Sequence, residues 1–530
     1  MSSACSNKSP SLQLLTPELS DGCNESALAR ADRAYAELRR RVVSAEVAAM
    51  TEADVERLLH RDGHEILRLL MEGYLEAHAL DAPESEVVGE DGRLRNHCRI
   101  GTTRPLTTLF GEVTVPRRAW SARGLDARHP TDATLNLPET QYSLETQRQM
   151  TISAARMPFD AAIESLERTT SASIPKRQAE EVIVRAAKDF VAYYETHYPA
   201  LAPDETSSVL VLSIDQKGVV LVPRDLREAT RKTAEVNRPK LETRLTRGEK
   251  HGHKRMATVA AVFTTVPHVR TAASVVDGLR RRGDKVKRPR PEEKRVWASL
   301  ERSMKEVISD AFAEGERRDP HGKKKWYVLI DGDPDLKVGI LAEAKRRGRP
   351  VTLVLDFIHA LEYLWRASTA FHRDADPDRE DWVLERLTKV LEGKSSDVAA
   401  GMRRSATRRK LSSTARKAVD KCADYFLKRR DMMRYNDALN VGAPIASGVV
   451  EGTCRHLIND RLEITGARWT MRRAEAVMKI RALLASGDFD QYWTFHEERE
   501  WWRNHAVHYR DNAPPKTGRS APPRRLHVVK

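Results

Sequence analysis

Ser208-Val209-Leu210-Val211-Leu212-Ser213-Ile214-Asp215 is an apolar run that ends in a carboxylate, and Lys325-Trp326-Tyr327-Val328-Leu329-Ile330-Asp331-Gly332 repeats the pattern. Short runs of Val, Leu, Ile and aromatic residues bounded by polar turn signals predict strands buried on both faces. Such strands belong to sheets packed between helices, and open sheets of that kind place ligands at their strand ends. A third passage, Ala446-Ser447-Gly448-Val449-Val450-Glu451-Gly452, opens a helix after Pro444, with Ser447 as the expected cap. A first-turn Glu is favoured in its ionised form by the helix dipole. Two Asp on strands and one Glu on a helix make an oxygen-ligand set suited to hard divalent cations. Two such cations suit in-line displacement at a phosphodiester. Each carboxylate alone is an ordinary turn or first-turn residue; the recurrence carries the reading.

Working outward, Asp215-Gln216-Lys217-Gly218 predicts a tight turn into a second strand, and Met256 to Val266 predicts a third. Residues 279–295 read as a basic linker and Pro291 to Glu316 as a helix. The run ending at Asp331 is followed by Asp333 and Pro334, a cap and first position for a helix over 334–347. Val351 to Leu355 is the last strand, ending at Asp356, and a helix follows at once through Trp365. The expected fold is α/β, a mixed sheet flanked by helices, with an α/β core over 206–370, an all-α, Arg- and Lys-rich insertion over 371–445, and a last core section carrying the Glu over 446–505.

Upstream, residues 1–26 are polar and expected to be disordered, and 27–135 read as a helical region followed by a basic β-ribbon. Arg117, Arg118 and Arg123 would line that ribbon on DNA, or it is a small structural hairpin. Residues 136–205 carry two helices broken at Thr169–Ile174, the second opening at Pro175 with Lys176, Arg177 and Gln178. That is a helix-turn-helix-like arrangement whose side chains can bond base edges, or an ordinary helical hairpin with a solvated basic end. Residues 506–530 form a Pro- and Arg-rich basic tail.

A chain of 530 residues with a formal charge of +15 predicts several domains and an anionic partner, nucleic acid first. The five cysteines are scattered and form no CxxC, which fits a reducing cytosol better than a disulfide framework or a zinc ribbon. His97-Cys98 and His251-Gly252-His253 lack a second ligand pair nearby and read as surface or DNA-facing residues. The N-terminus has no signal-peptide core, and no apolar stretch approaches the roughly 18–20 residues that span a bilayer, so a soluble, cytoplasmic protein with no membrane partner is expected.

Four passages carry a resemblance over roughly residues 30 to 505. They are Leu106-Thr107-Thr108-Leu109-Phe110-Gly111-Glu112-Val113; Arg247-Gly248-Glu249-Lys250 running into Lys254-Arg255-Met256-Ala257-Thr258-Val259; Asp356-Phe357-Ile358-His359-Ala360-Leu361-Glu362-Tyr363-Leu364-Trp365; and Gly448-Val449-Val450-Glu451-Gly452-Thr453-Cys454-Arg455-His456-Leu457, continued by Thr465-Gly466-Ala467-Arg468-Trp469. Together with the carboxylates they resemble bacterial insertion-sequence transposases of the Asp-Asp-Glu type, nearest the ISKra group on the Mutator-like branch. The resemblance implies a ribonuclease-H-like core with a helical insertion before the Glu. It makes Asp215, Asp331 and Glu451 the ligands of two Mg2+ or Mn2+ ions, and Asp356 with His359 an Asp-x-x-His element. Asp356 also ends a strand and competes with Asp331 for the second ligand position; Asp331 is preferred, as the fourth strand is the usual source in this fold. Gln216 stands where the family pattern has Gly. The implied chemistry is hydrolysis at the ends of a DNA element, freeing a 3′ hydroxyl that attacks target DNA, by a homo-oligomer bridging two double-stranded ends. Lys176, Arg177, Gln178, Arg117 and Arg118, and on the insertion Arg403, Arg404, Arg408 and Arg409, are the expected DNA contacts. The alternatives are a ribonuclease-H-like nuclease without strand transfer and a domesticated DNA-binding protein without activity.

Overall fold

The computed structural model describes residues 25–79, 81–196, 208–236, 254–280, 289–446, 448–464 and 467–517. The tail over 1–26 (all but its last two residues), His251 to His253, residues 281–288 of the basic linker, the Ser447 cap and the tail beyond Thr517 lie outside the described residues.

Two strands, β1 (His97–Thr108) and β2 (Gly111–Ser121), form an antiparallel hairpin. They are longer than the short strands expected around Thr108 to Trp120, because pairing begins at His97↔Ser121 and runs to Thr108↔Gly111. The hairpin's inner side chains, Leu106, Val113 and Val115, pack with Leu75 of the helix Glu52–Ala79 and with Leu137 in a small core of their own.

The larger sheet has five strands: β3 (Val209–Val220), β4 (Lys254–Thr265), β5 (Glu292–Ser299), β6 (Lys325–Ile330) and β7 (Thr352–Leu355). Their order across the sheet is β5-β4-β3-β6-β7. β3 is antiparallel to β4, and β4 to β5, whereas β3, β6 and β7 run parallel. Every residue of β3 from Val209 to Ile214 is buried, although successive side chains face opposite sides, so helices cover both faces of the strand. The result is a mixed α/β fold with a mixed sheet flanked by helices.

Two expectations about this sheet are corrected. Asp215 to Gly218 does not turn: β3 continues to Val220, and each residue from Val209 to Val220 has a partner in β4. An unbroken ladder satisfies the backbone that the polar residues alone suggested would bend. Gly218 serves close packing rather than a turn, since a Cβ there would meet Lys254 Cδ at 2.9 Å. The helix expected from Pro291 begins instead at Met304, after a capping box between Ser303 and Glu306. Glu292–Ser299 is edge strand β5; its charged start masks a buried run, Arg295 to Ser299, that pairs with β4.

The helices Leu144–Arg156, Phe159–Thr169, Lys176–Ala186 and Phe190–Thr196 are not packed apart from the sheet. One continuous hydrophobic core runs from Tyr142 through β3, β4 and β6 to Phe495. Residues 371–440 contain the helices Asp378–Leu391, Ser395–Arg408, Ser413–Arg429 and Tyr435–Asn440, with no strand among them. No helix among the described residues is long and apolar enough to cross a membrane.

Candidate functional site

The parallel registers place three aspartates in one row. Ser213 is opposite Leu329 and Ile330 is opposite Leu355, so stepping along each strand sets Asp331 and Asp356, just past the ends of β6 and β7, in one row with Asp215, which lies midway along β3. Neighbouring strands lie roughly 4.8 Å apart, which makes Asp215 and Asp331 close neighbours. Asp215 Oδ1 accepts from Gln216 N at 2.6 Å, and Asp331 Oδ1 accepts from Asp333 N at 2.9 Å. Asp331 is half-buried, and its carboxyl is pushed above the usual range. Burial is the main cause; the Asp333 N–H opposes it, and the charge of Asp215 reinforces it.

Asp356 differs from its neighbours. It is 2 % exposed, and its carboxylate caps the helix Phe357–Ser368 by accepting from Ile358 N at 2.8 Å. A capping oxygen tied to the helix start favours a structural duty, leaving Asp331 as the more open partner of Asp215. His359, one turn along that helix, is near enough to Asp331 to lower its proton affinity and lies 3.9 Å from Glu362.

Glu451 sits in the helix Gly448–Cys454, which packs against β3 and β4. Three residues on, and so on the same helical face, the Cys454 thiol donates to Asp215 Oδ2 at 3.3 Å. Burial, then the charge of Asp215, holds that thiol far up in its protonated form, with Glu451 a further contributor. Thus one helix ties the third carboxylate to the first. Glu451 remains exposed, and the three carboxylates do not close into a tight cluster. Among the described residues no salt bridge engages Asp215, Asp331 or Glu451. A π-helical turn, Arg455–Asn459, follows the Glu451 helix directly.

The backbone of Asp331 and Gly332 is held from the helix Ser413–Arg429. Tyr425 Oη donates to the Asp331 carbonyl at 2.9 Å, and Arg429 Nε donates to the Gly332 carbonyl at 2.8 Å. Gly332 has φ +88°, and an added Cβ would meet Arg429 Nε at 2.5 Å and Leu355 Cδ1 at 2.7 Å. Neither Tyr425 nor Arg429 was singled out by the sequence, because no local pattern links a helix of 371–440 to a turn some ninety residues earlier. Trp469, from the last of the four passages, docks in the backbone at the far end of β3: its backbone N–H donates to Val220 O at 3.2 Å, and its carbonyl accepts from Val222 N at 2.8 Å.

The expected DNA contacts divide. Lys176, Arg177 and Gln178 open the helix Lys176–Ala186 and are exposed; Lys176 pairs with Asp160 at 2.7 Å. Arg117 and Arg118 instead serve the fold: Arg117 pairs with buried Asp132 at 2.9 Å, and Arg118 donates to the Ala79 carbonyl at 3.2 Å. Arg118 thus ties the hairpin to the helix before it, and Arg117 ties it to the short helix Pro130–Thr134 after it. On the Ser395–Arg408 helix, Arg404 and Arg408 are exposed. Arg403 is committed to Asp424 at 2.6 Å and Asp420 at 3.3 Å, and Arg409 donates to the Phe371 carbonyl at 3.4 Å.

Among the described residues, one group of three has all its ligand atoms within 4.8 Å and could hold a metal ion: Asp189, His496 and Glu500. His496 Nδ1 lies 2.7 Å from Asp189 Oδ2. Arg503 already donates to both Asp189 oxygens at 2.7 Å and also bonds Glu500, so the group is built as a charge-balanced network. The only local trace of it in sequence is the four-residue spacing of His496 and Glu500 on one helix; Asp189 is too remote to suggest it.

A scan against protein-family models and a search of curated proteins return no match for this chain.

Proposed function

We propose that the protein is a DNA phosphoryl-transfer enzyme, an insertion-sequence transposase of the Asp-Asp-Glu type with a ribonuclease-H-like core. The observation that carries the reading is the carboxylate set on the sheet: Asp215 and Asp331 in one register row, Glu451 on the helix whose Cys454 bonds Asp215, and, among the described residues, no salt bridge to any of the three. In a basic chain of charge +15, carboxylates without cationic partners among the described residues make a donor set fitted to divalent metal. The fourth strand of the sheet in chain order, β6, leads into the second Asp, as the resemblance requires.

Asp215, Asp331 and Glu451 would hold two Mg2+ or Mn2+ ions. When bound, such ions supply charge neutralisation at the attacking and leaving oxygens of a phosphodiester. The chain's own residues do the rest by positioning. Gln216 N and Asp333 N orient one oxygen on each Asp, leaving the others for ligation. Cys454 fixes the second oxygen of Asp215 by a weak S–H bond that a cation can displace. Tyr425 and Arg429 hold the Asp331 turn. Asp356 anchors the helix bearing His359, which stands close to Asp331.

In this reading residues 371–445 are the helical insertion, Lys176, Arg177 and Gln178 meet the element ends, and the protein works in the bacterial cytoplasm as a homo-oligomer on double-stranded DNA. The test is incubation of the full chain with Mg2+ or Mn2+, a plasmid bearing the DNA that flanks its gene, and a second target plasmid. Joined products that vanish in Asp215→Ala, Asp331→Ala and Glu451→Ala support it. Nicking without joining selects the nuclease alternative, and binding without either selects the inactive one.

A further inference from the structure

Arg429 is half-buried and firmly held, and among the described residues no carboxylate pairs with it. Its Nε donates to the Gly332 carbonyl at 2.8 Å, next to Asp331. Its guanidinium lies 4.2 Å from the Tyr425 ring centre. Tyr425 stacks on Tyr363 at 3.8 Å with the rings 12° from parallel, and Arg366 lies over the other ring of that pair at 5.3 Å. Tyr425 is in turn bonded through its hydroxyl to the Asp331 carbonyl. Two aromatic rings thus lie between two guanidinium groups, and contact with a ring face combined with a forked donor set is something arginine offers and lysine does not. Yet Arg429 has no carboxylate partner, and its two Nη groups have no hydrogen bond, among the described residues. The anchored edge points to the backbone of the carboxylate turn, and the free edge carries the donors that suit a phosphate.

We propose that Arg429 is a phosphate-binding residue of the candidate site, its Nη groups receiving a non-bridging oxygen of the DNA strand whose phosphodiester lies beside Asp215 and Asp331. This rests on the DNA phosphoryl-transfer reading of that site. It also gives the helices of residues 371–440 a specific duty, since they supply a substrate contact and the brace of a metal-ligand turn from one side chain. Lysine cannot replace it, because one ammonium cannot stack on Tyr425, bond Gly332 and reach a phosphate with a planar fork.

The experiment uses the full chain, its Arg429→Gln and Arg429→Lys variants, and Asp331→Asn. Mn2+ affinity is measured by electron paramagnetic resonance, and affinity for a labelled DNA duplex is measured across a salt series in Ca2+. Nicking of supercoiled plasmid in Mn2+ gives the third readout. The proposal expects Arg429→Gln to keep the parent's Mn2+ affinity, to lower the slope of log affinity against log salt by about 0.9, the value of one phosphate contact, and to lose nicking. Arg429→Lys should keep part of the slope and little of the nicking. A Gln variant with the parent's salt slope but weakened Mn2+ binding overturns the proposal and leaves Arg429 as a brace of the turn only. A Gln variant matching the parent in all three readouts overturns both duties. Failure of the parent itself to bind Mn2+ and nick DNA would overturn the site reading on which the proposal rests, and the proposal with it.

Discussion

Removing one charge from the aspartate row should stabilise the protein without metal and destroy its response to metal. Asp331→Asn is the perturbation. The amide keeps an acceptor for the Asp333 N–H, so the turn bond at 2.9 Å survives. It removes the like-charge term that, with burial, pushes the Asp331 carboxyl up. Two unit charges about 5 Å apart repel by about 3 kcal/mol at an effective dielectric of 20 and by about 1 kcal/mol in bulk water. Asp331 is half-buried, so a gain of about 1–2 kcal/mol in EDTA is expected, read as a higher urea midpoint by circular dichroism. The gain should fade as pH falls through the raised folded pKa, because protonated Asp331 carries no charge to remove. With free Mg2+ at a hundred times its dissociation constant, the parent should gain about 2.7 kcal/mol and the variant almost nothing. An Asn variant less stable than the parent in EDTA would refute the reasoning, since it would show the carboxylate holding the fold rather than waiting for a cation.

Three further outcomes follow from particular contacts. Gly332→Ala forces a Cβ against Arg429 and Leu355 at φ +88°, so it should cost more than about 1 kcal/mol of stability and weaken Mn2+ binding, checked by denaturation and resonance titration. Glu314 is buried, yet Arg295, Arg318 and Arg317 pull its carboxyl down to about 2 against the effect of burial. Glu314→Gln should therefore cost about 3–5 kcal/mol by leaving buried arginines unpaired; in the parent that stability is full above the ordinary Glu range and is lost as pH falls towards 2, which an acid titration followed by circular dichroism would show. Replacing Lys176, Arg177 and Gln178 together by Ala removes only one exposed ion pair, so the urea midpoint should hold while binding to the flanking DNA weakens by about 1–3 kcal/mol per lost base contact, measured by fluorescence anisotropy.

Much of this was legible where local chemistry and burial agree. Val209 to Ile214 and Trp326 to Ile330 are apolar on both faces, so their strands stood out, and Asp333-Pro334 marked a helix start that the structure keeps. Legibility failed where pairing overrides composition. Asp215 to Gly218 looks like a turn only until the β4 ladder beside it is known, and Glu292 to Lys294 looks helical until Val296 to Ser299 is seen at the sheet edge. Within the site, Asp215, Asp331 and Asp356 could be suspected as strand-end residues, but only the register makes them a row. The partners that hold the row, Cys454, Tyr425 and Arg429, come from helices distant in sequence, and no spacing rule reaches across that separation. Arg117, Arg118 and Arg403 have partners within the fold that composition does not reveal: Asp132, the Ala79 carbonyl and Asp424.

The central claim, that Asp215, Asp331 and Glu451 are a divalent-cation site, is tested most directly by anomalous diffraction from crystals of the full chain grown with Mn2+. The account predicts manganese peaks between Asp215 and Asp331 with Glu451 turned in towards them, and no such peaks in Asp215→Ala. Manganese bound instead at Asp189, His496 and Glu500, with none at Asp215, Asp331 and Glu451, would contradict it.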